Sequence, residues 1–181
     1  LYVYVTTFID ANVPVGSGWG KSIATTKDGS KFIVGAPNED TNSILDSGTA
    51  YLYSRRMQSF YGDGTTKIFT LANASPNNIA DVYVNDVLIT TNYTLIGTTL
   101  TFTTAPLADN IINVSTGYID FVQKFQSSNP HIGGLFGQSV DTNRYGAEIV
   151  IGAPYEVATV NNVGGVEGAV YRYTNSGQKY G

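Results

Sequence analysis

Apolar and polar residues alternate in short segments along this chain, and turn residues separate the segments. The alternation is clear at 99–102 and at 169–173, where it predicts strands with one buried face. No amphipathic window of helical period runs longer than about ten residues. Tyr and Thr, which favour strands, and Gly, which favours turns, are all abundant. The sequence therefore predicts an all-β fold.

Two segments share one pattern at a spacing of 117 residues. FIVGAPNE (32–39) and IVIGAPYE (149–156) each place Gly-Ala-Pro after an apolar run and before Glu. Because Pro cannot donate to a β-ladder, it predicts the end of each strand. The motifs before and after also match, and they are WGKSI (19–23) with FGQSV (136–140) and GTAYLY (48–53) with GAVYRY (168–173). Each copy therefore predicts three strands, with the two tyrosines of the last strand on one face.

These motifs resemble the FG-GAP repeat of integrin-type β-propellers, and the match covers about 19–53 and 136–173. The resemblance implies one four-stranded blade per repeat around a central axis. YVYV (2–5) looks like the closing strand of an earlier unit, and GQKYG (177–181) stops where a further unit would begin. We therefore expect the chain to be part of a longer protein with a partial β-propeller.

The spacing between the copies is about twice that of FG-GAP repeats and predicts an inserted β-domain. Within it, strands are predicted on both sides of a short hairpin turn at Asn85-Asp86. The segment resembles a small β-module of bacteriophage tail-fibre and other virion proteins, through GDG (62–64), VYVN (82–85), YT (93–94), LTF (100–102) and AP (105–106). The predicted organisation is a blade at 1–57 with the end of a preceding blade, a small β-sandwich-like domain at 58–118, and a second blade at 119–181.

Charge and composition exclude several classes of partner. The formal net charge is −4, whereas binding to nucleic acid needs clustered Lys and Arg. There is no cysteine, so disulfides and Cys-based metal sites are excluded. No apolar run approaches the length of about 18 residues that a membrane span needs.

One turn of the second copy offers oxygen ligands for a metal ion. Many FG-GAP turns bind Ca²⁺ through acidic side chains, because this hard cation takes six to eight oxygens. The candidate ligands here are Asp141, Asn143 and Glu148. Tyr145 stands where a further acid belongs and Arg144 lies between the ligands, so we favour an ordinary polar hairpin without a cofactor. The equivalent segment of the first copy, TKDGSK (26–31), predicts a tight Asp-Gly turn without a metal.

Other candidate chemistry is less specific. GSGWGKS (16–22) resembles a P-loop, but its glycine spacing is wrong and a strand is predicted to follow it. His131 is predicted to be a loop residue rather than a catalytic one, since the sequence does not indicate a nucleophile and an orienting acid for it. Glu39 and Asp40 are predicted to be solvated turn residues. Three Asn-x-Ser/Thr triplets, which we attribute to chance, begin at Asn73, Asn92 and Asn113.

Two functions from different classes follow. The preferred one is a non-enzymatic structural or adhesive component of a bacteriophage virion, as capsid decoration or as a tail or fibre protein. Blade-tip loops and the inserted domain would contact other virion proteins or a host-surface glycan. The alternative is an extracellular propeller on a bacterial cell surface that binds Ca²⁺ and a glycan or protein ligand. A glycan-cleaving enzyme would need parts of a protein outside this sequence.

Overall fold

The prediction of an all-β fold is confirmed. A computed structural model describes residues 7–74, 80–160, 163–166 and 168–175, and every regular element within them is a strand. The predicted strands at 2–5 and the segment 177–181 lie outside the described residues. The strands are β1 (Ser22–Thr25), β2 (Lys31–Ala36), β3 (Thr49–Tyr61), β4 (Ile68–Thr70), β5 (Asp81–Val84), β6 (Val87–Ile89), β7 (Tyr93–Ile96), β8 (Thr99–Phe102), β9 (Ile111–Gln126), β10 (Ser139–Thr142), β11 (Glu148–Ala153), β12 (Val157–Val160), β13 (Val163–Val166) and β14 (Ala169–Thr174).

The chain divides into two compact units. The first unit is formed by Leu1–Tyr53 together with Phe121–Gly181, and the second by Ser54–Asp120. The long strands β3 and β9 each contribute residues to both units. In the first unit the hydrogen-bonded order is β1-β2-β3-β9 in one sheet and β10-β11-β14 in another.

The two Gly-Ala-Pro copies of the first unit have the same strand register. The β1–β2 hairpin pairs Ser22 with Gly35, and the β10–β11 hairpin pairs Ser139 with Gly152. The hydrogen bond that precedes each hairpin is also repeated, from Gly20 N to Gly35 O and from Gly137 N to Gly152 O, both at 3.0 Å. Because every partner in one copy lies 117 residues from its counterpart, the sequence repeat is also a repeat of backbone structure.

The third strand of each copy brings its two tyrosines to one face, as the alternation predicted. Tyr51 and Tyr53 on β3 are stacked with an interplanar angle of 18°, and so are Tyr171 and Tyr173 on β14. Tyr51 and Tyr53 are buried, and full burial of a large side chain stabilises a fold by about 1.5–3 kcal/mol. The core between the sheets of this unit consists of Ile33, Ala50, Phe125, Phe136, Ile149, Ile151 and Ala153.

Close backbone approach explains one glycine in the first motif. A Cβ atom at Gly35 would lie 1.9 Å from the carbonyl oxygen of Gly137, which belongs to the other copy. The Ser22 hydroxyl donates to this same carbonyl at 2.8 Å. A parallel bridge between Gly48 and Phe136 adds a second backbone link. The two copies are therefore joined by hydrogen bonds as well as by apolar packing.

The second unit has its own core and its own turns. β9 is followed by β5 and β6 in one sheet, and β4-β8-β7 form another. The hairpin between β5 and β6 turns at Asn85 and Asp86, which have φ values of 50° and 63°. Both values suit a type I′ turn, so the predicted hairpin is confirmed. The core residues are Phe69, Leu71, Val82, Leu95, Leu100, Phe102, Ile112 and Val114.

The two copies differ in the segment between the second and third strands. In the first copy a loop that spans 37–48 connects β2 to β3, whereas β12 and β13 form an additional hairpin between β11 and β14. Three strands were predicted for each copy, so this hairpin was not predicted. The extra residues change the offset between the copies from 117 to 120, as the equivalent pair Tyr51 and Tyr171 shows.

Candidate functional site

Each Gly-Ala-Pro corner ends in a buried glutamate. The strand stops at the alanine, and the glutamate amide then bonds to the alanine carbonyl, at 3.2 Å for Glu39 and 3.3 Å for Glu156. The glutamate carbonyl accepts in turn from a glycine amide, that of Gly48 or that of Gly168. This turn directs the glutamate side chain inward. As a result, only 2% of Glu39 and 4% of Glu156 are exposed. The prediction that Glu39 is a solvated turn residue was therefore wrong, whereas Asp40 is exposed.

The carboxylate of Glu39 has three side-chain partners. Its Oε2 accepts hydrogen bonds from the hydroxyls of Thr49 at 2.6 Å and Tyr51 at 2.5 Å. Its Oε1 forms a salt bridge with Lys124, whose ammonium also lies 5.4 Å from the centre of the Tyr51 ring. A buried carboxylate is stable only when it is paired and hydrogen-bonded, and these three partners meet that requirement. The proline that follows each alanine thus ends a strand at a point where a charge is buried.

Glu156 repeats this arrangement with fewer partners. Its Oε1 accepts a hydrogen bond from the hydroxyl of Tyr171, the counterpart of Tyr51. The Tyr171 hydroxyl also lies 2.9 Å from the Ser127 hydroxyl, so a short polar chain leads from the glutamate to the surface. The second copy therefore keeps the glutamate–tyrosine pair, and a serine contacts the tyrosine hydroxyl there, whereas in the first copy a lysine contacts the glutamate itself.

A third carboxylate–tyrosine pair lies beside the Glu39 cluster. Tyr53 donates to Asp10 at 2.8 Å, and its ring is surrounded by Phe8, Trp19, Phe32 and Phe121. Burial, together with the neighbouring carboxylates Glu39 and Asp10, raises the pKa values of Tyr51 and Tyr53 well above the ordinary value. Both phenols therefore keep their protons and donate hydrogen bonds to the carboxylates.

These clusters are closed to a substrate. Glu39 and Glu156 are almost fully buried, and their oxygens already accept hydrogen bonds from the chain's own hydroxyls. A general acid or base must reach the reacting proton directly or through one water molecule. The chemistry that these clusters can perform is therefore structural, and they fix the corners of the two sheets.

The predicted metal ligands lie on one hairpin but are bonded to the chain itself. The Asn143 Oδ1 accepts from the amides of Tyr145 at 3.2 Å and Ala147 at 2.9 Å, and so it stabilises the turn. Glu148 forms a salt bridge with Arg172, and Asp141 accepts from the Thr142 amide at 2.8 Å. Within the described ranges, no group of three acidic or imidazole side chains is placed to hold a metal ion. The assignment of Asp141, Asn143 and Glu148 stays a prediction.

The equivalent turn of the first copy is a tight Asp-Gly turn, as predicted. Asp28 Oδ1 accepts from the Thr26 hydroxyl at 2.7 Å, the Ser30 hydroxyl at 2.8 Å and the Ser30 amide at 3.1 Å. These bonds outweigh the effect of partial burial, so the pKa of Asp28 is lowered. Gly29 has a φ of 66°, which permits the turn. Asp28 is therefore ionised and held in one orientation.

The two turns meet at the surface of the first unit. The Lys27 amide donates to the Arg144 carbonyl at 3.2 Å, and the Arg144 guanidinium lies 5.3 Å from the centre of the Tyr145 ring. Lys27, Asp28, Arg144 and Tyr145 line an open cavity of about 280 Å³, and we call these four residues the hairpin-tip surface. No local pattern in the sequence indicates this surface, because its members come from turns that are 117 residues apart.

The other candidates are ordinary surface or packing residues. A strand, β1, follows GSGWGKS, and this geometry differs from the strand–loop–helix order of a P-loop. His131 is exposed in a turn, and its Nδ1 lies 2.7 Å from the Ile132 carbonyl. Asn92 is exposed, and Asn113 accepts a hydrogen bond from Ser59 at 2.6 Å.

A scan of the sequence against protein-family models finds no match, and a search of curated proteins finds no relative. In the part of the chain that the structure describes, no helix is long and apolar enough to cross a bilayer.

Proposed function

We propose that this chain is a non-enzymatic structural or adhesive component of a bacteriophage virion, either capsid decoration or a tail or fibre protein. The observation that carries the proposal is the repeat of one strand register in the first unit, with a separate compact unit set into the chain between the copies. The FG-GAP resemblance, with a partial β-propeller, is part of the same proposal.

The distribution of polar groups supports a scaffold rather than an enzyme. The most conspicuous acidic side chains, Glu39 and Glu156, are buried and hydrogen-bonded within the sheets. The exposed residues instead include large apolar side chains on the second unit, such as Val87 at 64%, Ile96 at 74% and Leu107 at 71%. Contacts through such side chains with other virion proteins would bury this surface.

Purification of intact particles tests the proposal. Phage particles should be banded in a density gradient, treated with nuclease, and analysed for this protein by quantitative mass spectrometry. The expected result is a constant ratio of this protein to the major capsid protein across the particle fractions. Recovery of the protein only from the host cytosol, with none in the particles, would overturn the proposal.

The alternative, a cell-surface propeller that binds Ca²⁺, rests on the placement of Asp141, Asn143 and Glu148 on the β10–β11 hairpin. A bound ion would raise the free energy of unfolding by RT ln(1 + [L]/Kd). We expect millimolar calcium to leave the thermal midpoint unchanged, because the Asn143 and Glu148 oxygens already have partners in the chain. A calcium-dependent rise that Mg²⁺ does not produce, and that Asp141→Asn abolishes, would favour the alternative.

A further inference from the structure

The hairpin-tip surface is basic although the chain as a whole is acidic. Lys27 and Arg144 are both exposed, and neither forms a salt bridge within the described residues. A third cation is close by, because the side chain of Lys31 passes next to Gly146 in the second turn. The one acid of this surface is Asp28. The two turns therefore carry an excess of one positive charge, Lys27 and Arg144 against Asp28, in a chain with a net charge of −4.

An aromatic face lies directly beside these cations. Tyr145 is 58% exposed, and the Arg144 guanidinium rests over its ring. A large exposed aromatic ring provides contact area with little loss of side-chain entropy when a ligand binds, because it has two rotatable bonds. Its position next to a guanidinium combines a flat apolar contact with a donor for charge-assisted hydrogen bonds.

Asp28 adds a fixed acceptor to the same cavity. The bonds from Thr26 and Ser30 go to its Oδ1, so the carboxylate is oriented before any ligand arrives. Its other oxygen can accept a hydrogen bond from a ligand hydroxyl. The Lys27–Arg144 backbone hydrogen bond joins the two turns and keeps their spacing constant. A preorganised site of this kind binds with a smaller entropy cost than a mobile one.

A separate groove of the first unit is lined in part by residues that adjoin the two turns. It has a volume of about 270 Å³, with apolar residues such as Leu52, Phe125 and Ile149 along its floor. Lys31 and Gly146 also line it, and they lie directly after the first turn and within the second turn.

We propose that the hairpin-tip surface binds an acidic glycan. The carboxylate or sulfate group of one sugar bonds to Lys27 and Arg144, the ring of that sugar packs against the exposed part of the Tyr145 ring that the guanidinium leaves uncovered, and Asp28 accepts a hydrogen bond from a sugar hydroxyl. This inference rests on the adhesive function proposed above and names the surface and the ligand class for it. Nucleic acid fits less well, because it needs many phosphate contacts and the rest of this chain is acidic.

The test uses the intact chain and two oligosaccharide probes, trigalacturonate as the acidic probe and maltotriose as the neutral one. Binding is measured by titration calorimetry and by shifts of backbone amide signals in two-dimensional NMR spectra. The acidic probe should shift the amides of the two turns, and affinity should fall as salt is raised, since the charges are exposed. Maltotriose should bind much more weakly.

Single substitutions then locate the site. Arg144→Gln and Tyr145→Ala should each weaken trigalacturonate binding by about tenfold, the factor that corresponds to the loss of one good charged or aromatic contact. The matched controls are Lys21→Gln, an exposed cation before β1, and Tyr155→Ala, an exposed tyrosine in the second Gly-Ala-Pro corner. Both controls should bind as the unchanged chain does, and thermal unfolding should show that all four variants fold.

Three results would overturn the inference. They are absence of binding by the unchanged chain, equal binding of the neutral probe, and binding that survives both Arg144→Gln and Tyr145→Ala. The particle experiment is independent of these results. If the protein is part of the particles but does not bind the acidic probe, only the glycan site is wrong. If it binds the probe but is absent from particles, the virion proposal is wrong and the site stands.

Discussion

At the scale of single residues, the clearest feature is the contrast between the two buried glutamates. Glu39 accepts two hydroxyl hydrogen bonds and faces an ammonium group, whereas Glu156 accepts from one phenol. Removal of one partner of a buried charge is costly because the remaining charge loses its compensation. The Glu39 cluster is therefore the more sensitive of the two corners to substitution.

The sequence could predict where each strand ends but could not predict the environment of the glutamate that follows. Pro37 and Pro154 end their strands for a local reason, the missing amide hydrogen. Burial of Glu39 depends on Tyr51, twelve residues away, and on Lys124, which is 85 residues away. No local pattern contains that information, so an acid after a turn motif was interpreted as solvated.

The glycines of the two motifs should differ in their tolerance of a side chain. We expect Gly35→Ala to lower the free energy of unfolding by about 3 kcal/mol, because its Cβ would collide with the Gly137 carbonyl, which cannot rotate away. Gly152→Ala should cost about 1 kcal/mol, because its Cβ would meet only the Ser139 hydroxyl within 3 Å. Urea unfolding of the two variants measures the difference.

A double substitution gives the control for this comparison. Ser139→Ala should restore most of the stability that Gly152→Ala loses, because it removes the colliding atom. Ser22→Ala should not rescue Gly35→Ala, since the backbone carbonyl remains. Equal rescue at both positions would contradict the assignment of the clash at Gly35 to the backbone.

Stability should fall at alkaline pH because of buried phenols. The pKa values of Tyr51 and Tyr53 are raised in the folded chain, mainly by burial and then by Glu39 and Asp10. Above about pH 10 the unfolded chain releases protons that the folded chain retains. The contribution of these phenols to the free energy of unfolding is therefore fully present below about pH 10. It falls as the pH rises further, by up to about 1.4 kcal/mol per pH unit for each phenol.

Tyr51→Phe tests the origin of this slope. The free energy of urea unfolding should be measured between pH 8 and pH 11.5, a range that extends at least about one unit to each side of the ordinary tyrosine pKa. It should decline less steeply with pH for Tyr51→Phe than for the unchanged chain. Thr49→Val is the matched control, because it removes another hydroxyl from Glu39 without removing an ionisable group. It should lower stability at every pH and leave the slope unchanged. An unaltered slope in Tyr51→Phe would refute this account.

At the scale of elements, alternation predicted strands wherever one face is buried. β5, β6 and β8 lie where the sequence placed them, and the tyrosines of β3 and β14 share a face. The β12–β13 hairpin was missed because GG (164–165) and NN (161–162) interrupt the alternation and are typical of loops. Short hairpins whose strands contain glycine carry a weak signal of this kind.

A substitution in the turn between β5 and β6 should raise the stability of the chain. Asp86 has a φ of 63°, a conformation that glycine adopts with less strain. We expect Asp86→Gly to raise the free energy of unfolding by about 0.5–1 kcal/mol. Asn85→Gly is the matched control and should destabilise, because the Asn85 side chain accepts a hydrogen bond from the Ile111 amide at 2.9 Å. Chemical unfolding of both variants checks the two signs.

At the scale of the whole molecule, the all-β class followed from composition and pattern, because strand residues dominate everywhere along the chain. The propeller remains a prediction, since a closed ring of blades is set by contacts between repeats rather than by the pattern within one repeat. The hairpin-tip surface could not be predicted from the sequence for the same physical reason. Its residues meet only because β1–β2 and β10–β11 pack side by side.

Two separate cores should respond independently to truncation. Leu100→Ala in the second unit and Ile151→Ala in the first should each cost about 2–5 kcal/mol, because both side chains are fully buried. Hydrogen exchange followed by mass spectrometry should show faster exchange in β4, β7 and β8 for Leu100→Ala and in β10, β11 and β14 for Ile151→Ala. If either substitution accelerated exchange equally in both units, the chain would unfold as one cooperative body.

The path of the chain between the two units has a consequence for how such a gene can change. The chain leaves the first unit after Tyr53 and returns at Phe121, and the rings of these two residues lie 6.2 Å apart between their centres on neighbouring strands. One continuous stretch of codons therefore specifies the whole second unit, and its ends meet at a fixed place. Recombination can exchange that stretch for another while the register of the first unit stays the same.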